Sequence, residues 1–128
     1  MTKEELTQYV ELCEKFENEC ERVCSILKNS KKRHGDYIDI NYANRFSLAG
    51  DSVFWEGDEY WSYGGHEYHS GDFPADFLSM SNDELLKIVE MENKEWEAEQ
   101  IKRNKEMTAQ EKEKRKAQYE ELKKEFGG

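Results

Sequence analysis

The fold of this chain turns on one run, Val53-Phe54-Trp55-Glu56-Gly57-Asp58-Glu59-Tyr60-Trp61-Ser62-Tyr63-Gly64-Gly65-His66-Glu67-Tyr68-His69-Ser70-Gly71-Asp72-Phe73-Pro74. Val53–Glu56 and Glu59–Tyr63 are aromatic, β-prone stretches around Gly57. They read as one long bulged strand or as two strands joined at Gly57-Asp58. Tyr63-Gly64-Gly65-His66 has the form of a two-residue hairpin turn. Glu67–Phe73 is then the returning strand. Pro74 holds Phe73 extended and, lacking an N–H, ends the pairing.

Toward the N-terminus, Ala49-Gly50-Asp51-Ser52 is a turn. Phe46 and Leu48 alternate with polar neighbours before it. Tyr37-Ile38-Asp39-Ile40-Asn41-Tyr42 alternates in the same way, with Ile38, Ile40 and Tyr42 on one side. The expectation is an antiparallel meander of three or four strands within 37–74. One face packs on a helix and the other stays partly open, as antiparallel sheets allow.

Helical patterns flank this segment. Thr2 and Glu5 form a capping box. Leu6, Cys13, Cys20 and Leu27 then recur at one heptad position, and Tyr9, Phe16 and Val23 at the other. Val10, Leu12, Cys24 and Ile26 widen the stripe. This predicts an amphipathic helix over 2–29, whose apolar face must be covered by the rest of the chain or by a second subunit. Asn29–Asp36 is a polar link. Its Lys31-Lys32-Arg33 triplet suits a helix C-terminus. A second helix opens at Ser81, with Glu84 completing a capping box and Met80 positioned to staple against Leu85. Leu85, Leu86, Ile88, Val89 and Trp96 make its first third amphipathic. Beyond that, i,i+4 pairs such as Glu99–Arg103 and Glu111–Arg115 take over. Thr108 and Glu111 again fit a capping box, so a break near Thr108 is a reasonable alternative to one rod. Tyr119, Leu122 and Phe126 give an apolar tip, and Gly127-Gly128 read as a helix cap. The predicted class is α+β: a core over 1–96 (helix 2–29, sheet 37–74, start of a helix 81–96) and a charged helical extension over 97–128.

Charge sharpens this division. The 128 residues carry a formal net charge of -10, with 38% charged and 36% apolar residues. A typical domain has about 25% charged residues, so the chain is too polar to be one compact core. Residues 36–76 contain nine acids (Asp36, Asp39, Asp51, Glu56, Asp58, Glu59, Glu67, Asp72, Asp76) and one base, Arg45, for a net of -8. Residues 81–128 are nearly neutral, with 13 acids and 11 bases. This balance argues against direct nucleic-acid or membrane-surface binding. No apolar run approaches the ~18 residues of a membrane span, and Met1–Leu6 has no apolar signal region.

Few residues carry recognisable chemistry. Cys13, Cys20 and Cys24 share the apolar face of the first helix and read as small buried residues in a reducing compartment. His66 and His69 lie three apart on a strand and therefore face opposite sides, poorly placed to share one ion. No Ser-His-Asp, HExxH, Walker or Gly-rich phosphate pattern occurs. The expectation is no catalytic residue, no metal and no cofactor.

The run from Tyr60 to Leu78, followed by a capped Lys/Glu-rich helix, resembles a pattern in small bacteriophage accessory proteins: an aromatic strand, a Gly-Gly turn, a return strand ending in Phe-Pro, and a charged tail. The resemblance covers about residues 37–126. It implies a gene product of the host bacterial cytoplasm that binds a host factor, as anti-CRISPR and other anti-defence inhibitors do. Exposed aromatics amid carboxylates suit protein recognition. The residues expected to contact a basic surface of a host protein or nucleoprotein complex are Asp51, Glu56, Asp58, Glu59, Trp61, Tyr63, Glu67, Tyr68 and Asp72. Their carboxylates are candidates for nucleic-acid mimicry. The alternative is an oligomeric protein that binds or sequesters a small ligand such as a nucleotide in an aromatic pocket between sheet and helix. A homodimer formed through the helices is a separate candidate partnership.

Overall fold

A computed structural model describes residues 1–126 and has the α+β class expected, with two long helices and one three-stranded antiparallel sheet. Gly127 and Gly128, read above as a helix cap, lie outside the described residues. The chain divides into two units, Met1–Asn93 and a second beginning at Lys94.

Helix α1 spans Lys3–Leu27. Thr2 caps it as expected: the Glu5 N–H donates to Thr2 Oγ1 at 3.1 Å and the Thr2 N–H to Glu5 Oε1 at 3.3 Å. Only its C-terminal half is covered. Cys20, Val23, Cys24 and Leu27 are buried, whereas Leu6, Tyr9, Val10, Leu12 and Cys13 are exposed. The apolar stripe is therefore longer than the surface it packs on. Cys13 departs from the expectation of three buried cysteines for this reason. Burial pushes Cys20 up to about 11 and Cys24 up to about 12, so both remain thiols at neutral pH and serve as packing.

The Tyr37–Tyr42 segment is not a strand, despite its alternation. The Asp39 carboxylate accepts the Asn41 N–H at 3.1 Å, and Ile40–Tyr42 forms a 3-10 turn. A short acidic side chain beside free backbone N–H groups offers them a local partner, which outcompetes a ladder. Within this turn Ile40 is buried, whereas neighbouring Ile38 is exposed.

The sheet begins later. Strand β1 is Arg45–Ala49, β2 is Ser52–Tyr60 and β3 is His66–Pro74, in the order β1-β2-β3. Gly50, at φ +61°, leads the two-residue connection from β1 to β2, the position where such turns place glycine. β2 is one unbulged strand whose register runs without interruption from Ser52↔Pro74 to Tyr60↔His66. Gly57 is neither turn nor bulge. A Cβ there would stand 1.6 Å from the Tyr42 carbonyl oxygen, so its lack of a side chain admits the Ile40–Tyr42 turn against the strand. The β2–β3 connection also differs from the expected two-residue Gly-Gly turn. Trp61 and Gly65 are joined by the Trp61 N–H to Gly65 O at 2.9 Å, and the Gly64 N–H donates to Trp61 O at 3.1 Å. Gly64, at φ +82°, is the left-handed third residue of a loop over 62–64, a common three-residue hairpin.

Side chains alternate across the sheet. Val53, Trp55, His69 and Phe73 face the core, with Phe46 beside them. The core joins this face to the last turns of α1, to Ile40, to Phe77 from a 3-10 turn at Ala75–Ser79, and to Leu85 and Val89. The last two belong to α2, Asn82–Phe126. Full burial of one such apolar side chain stabilises by roughly 1.5–3 kcal/mol. Ser81 caps α2 by accepting the Glu84 N–H at 3.2 Å. Two arginines tie the unit together. Arg22 on α1 donates to the carbonyls of Leu78 and Met80 and to Asn82 Oδ1. Arg33, in the triplet read above as a dipole complement, instead pairs with buried Glu92 at 2.8 Å and lies over the Phe77 ring.

In the second unit α2 continues through Thr108. The Thr108 hydroxyl donates to the Asn104 carbonyl at 2.8 Å, a bond made inside a helix and not at its start. The alternative of a break there is thus overturned. The Glu99–Arg103 pair forms at 3.0 Å, and Tyr119 and Leu122 are exposed. No helix among the described residues is long and apolar enough to cross a membrane.

Candidate functional site

The two sheet faces have different chemistry. The outer face carries Arg45 and Ser47 from β1, Phe54, Glu56, Asp58 and Tyr60 from β2, and His66, Tyr68, Ser70 and Asp72 from β3. No described element of the first unit packs on it. Phe54, Tyr60 and Tyr68 keep 38%, 74% and 42% of their surface exposed.

The charges on this face are ordered by one another. Arg45 donates to Glu56 Oε1 and to Asp58 Oδ2, both at 3.1 Å. The Tyr68 hydroxyl donates to Glu56 Oε2, and the His66 imidazole meets Asp58 Oδ1 at 2.8 Å while stacking on Tyr60. These partners lie opposite or diagonal across the ladder, the positions from which long side chains meet. The hydrogen bond from Tyr68, then the one from Arg45, holds Glu56 below its ordinary carboxylate pKa. His66 first, then Arg45, does the same for Asp58. The Tyr68 phenol is raised by its bond to Glu56. With Arg45 as the one base beside Glu56, Asp58 and Asp72, the face keeps a net negative charge and a fixed side-chain array.

The inner face changes character at its hairpin end. Glu59 and Glu67 stand directly opposite each other on β2 and β3. His69 Nε2 lies 3.0 Å from Glu59 Oε2 and 3.9 Å from Glu67 Oε2. Tyr42 stacks on the His69 ring, centroids 4.9 Å apart, and donates its hydroxyl to Glu59 Oε1 at 3.0 Å. Ligand atoms of Glu59, Glu67 and His69 all lie within 4.8 Å of one another. They are the one group among the described residues with the donor set for a metal ion.

The nine contact residues expected from the sequence do not form one surface. Glu56, Asp58, Tyr68 and Asp72 share the outer face. Glu59 and Glu67 lie on the inner face with His69. Asp51 is in the β1–β2 turn; Tyr63 lies in the hairpin loop and is fully open, and Trp61, which flanks that loop, is half open. Sequence reasoning omitted Phe54, Tyr60, Arg45 and His66. Period-2 alternation through Glu56 and Asp58, read across Gly57 as one strand, signals Phe54 and Tyr60, whereas Arg45 and His66 join the face through the strand register. The two histidines do face opposite sides, as their spacing required. A groove of about 430 Å³ between α1 and β1 is lined by Tyr9, Leu12, Cys13, Phe16, Glu17, Phe46 and Leu48.

The fold is thus a small α+β unit with one open, acidic and aromatic sheet face. No family model, curated protein or solved structure matches the chain.

Proposed function

We propose that this chain is a non-enzymatic protein-binding module whose outer sheet face docks on a basic surface of another protein. One observation carries this reading: Phe54, Tyr60 and Tyr68 stand exposed among Glu56, Asp58 and Asp72 on a face with no helix of its own unit against it. Large rigid aromatics contribute contact area at low entropic cost. The surrounding carboxylates set orientation and speed encounter with a cationic surface. Their mutual hydrogen bonds pre-order the array, which reduces the entropy lost on docking. Relative to the sequence-based set, the contact residues become Phe54, Glu56, Asp58, Tyr60, Tyr68 and Asp72, extended by Trp61 and Tyr63 at the loop.

The resemblance to phage accessory proteins adds the class of partner. On that reading the protein works in a bacterial cytoplasm as an inhibitor of the anti-CRISPR or anti-defence type. Its target is a host protein or nucleoprotein complex whose basic surface handles phosphate, and the carboxylates occupy it in place of nucleic acid. Affinity capture from bacterial lysate tests this with the native chain and a charge-reversed Asp58→Lys/Asp72→Lys chain. The expected result is a partner retained by the native chain at low ionic strength, released at high ionic strength and absent from the reversed chain. Equal retention by both chains, or retention indifferent to salt, contradicts the proposal.

Two observations weigh against the nucleotide-binding alternative. The groove between α1 and β1 has one acid, Glu17, and no base in its lining, so it offers no countercharge to a phosphate. The open half of α1, where a homodimer would form, carries Glu4, Glu5, Glu11, Glu14 and Glu17 against Lys3 and Lys15. Pairing two such stretches brings like charges together.

A further inference from the structure

We propose that Glu59, Glu67 and His69 form a binding site for one divalent transition-metal ion of the zinc class, separate from the docking face and on the opposite side of the sheet. Directly opposed like charges on neighbouring strands are destabilising, yet Glu59 and Glu67 are register partners. Their side chains are 24% and 23% exposed and converge on an imidazole that is only 3% exposed. Arg45, the nearest base in sequence to this end of β2, is turned to the other face and engaged by Glu56 and Asp58. A cation between the two carboxylates removes the repulsion that the register imposes.

The geometry suits metal coordination. Tetrahedral bonds of about 2.0–2.1 Å set ligand atoms roughly 3.3 Å apart. The observed 3.0 and 3.9 Å from His69 Nε2 to the two carboxylates bracket that value, and ligand atoms of all three residues lie within 4.8 Å of one another, so closure draws two part-exposed glutamates inward. His69 is held in place. Tyr42 stacks on its ring, and Nε2 is the ring nitrogen turned to the two carboxylates. The Tyr42 hydroxyl on Glu59 Oε1 supplies the outer hydrogen bond that orients a ligating carboxylate. One nitrogen and two oxygen donors favour a borderline divalent ion such as Zn2+ over Ca2+ or Mg2+, which prefer all-oxygen shells. Three protein ligands leave a further position open to solvent. When filled, the site joins β2 to β3 and, through Tyr42, to the segment before β1.

Calorimetric titration with zinc chloride tests the site, using chelator-treated full-length protein carrying Cys13→Ser to remove the exposed thiol. The expected result is one ion per chain and a raised thermal midpoint that a chelator reverses. Glu67→Gln, which keeps shape and removes one ligand charge, should weaken binding at least about tenfold. His66→Gln, on the other face, should leave it unchanged. Absence of a zinc-dependent heat and thermal shift overturns the proposal. So does zinc binding of native strength in Glu67→Gln, or binding that His66→Gln abolishes.

Discussion

Gly57 illustrates how one residue fixes the site. Its hydrogen atom faces the Tyr42 carbonyl where any Cβ would overlap it at 1.6 Å. That approach brings Tyr42 over His69 and onto Glu59. Gly57→Ala should therefore destabilise the first unit by about 2 kcal/mol or more, since the obstacle is backbone and not a flexible side chain. A lowered urea midpoint is the expected reading, and an unchanged midpoint contradicts the close approach. In the sequence Gly57 looked like a bulge or a joint between strands. The same letter serves a turn, a bulge or a close approach, and only the chain that passes over it separates them. The alternation of Ile38, Ile40 and Tyr42 misled for a related reason: side-chain periodicity carries no record of the Asp39 carboxylate taking the Asn41 N–H.

The elements themselves were more legible. Capping at Thr2 and Ser81, the heptad stripe and the turn at Gly50-Asp51 each have a local cause, and each occurs where expected. The hairpin loop was displaced because Gly64 and Gly65 both satisfy a two-residue turn on paper. The three-residue loop is the one that leaves Tyr60 opposite His66. That register also puts Glu56 and Asp58 beside Tyr68, His66 and Arg45. Both carboxylates have folded-state pKa values below their ordinary range. Their contribution to stability is therefore present above about pH 4 and is lost as pH falls through the folded-state values. A Glu56→Gln/Asp58→Asn chain should show a flatter fall in thermal midpoint between neutral and strongly acidic pH than the native chain. Identical slopes would deny the ladder its role. In α2, Thr108→Ala should raise helical ellipticity slightly, by roughly 0.5 kcal/mol of propensity. Were Thr108 an N-cap, the same change would lower helicity, at a cost of about 1 kcal/mol.

At the scale of the molecule, polarity and charge have different homes. The apolar-poor stretch is the helix beyond Asn93, which is close to neutral, and the acidic excess sits on and around the sheet. Composition alone separated those properties. It did not divide the acids between the two faces of the sheet, because that division needs the register. Glu59 and Glu67 thereby leave the docking surface and join His69, while Phe54, Tyr60, Arg45 and His66 enter it. The reading of the outer face as the contact surface is tested most directly by hydroxyl-radical footprinting of the complex captured from lysate. Protection of Phe54, Tyr60, Trp61, Tyr63 and Tyr68 is expected, with Tyr9 and Leu12 on α1 as reactive as in the free protein. Protection confined to α1, with the outer-face aromatics unchanged, would contradict it.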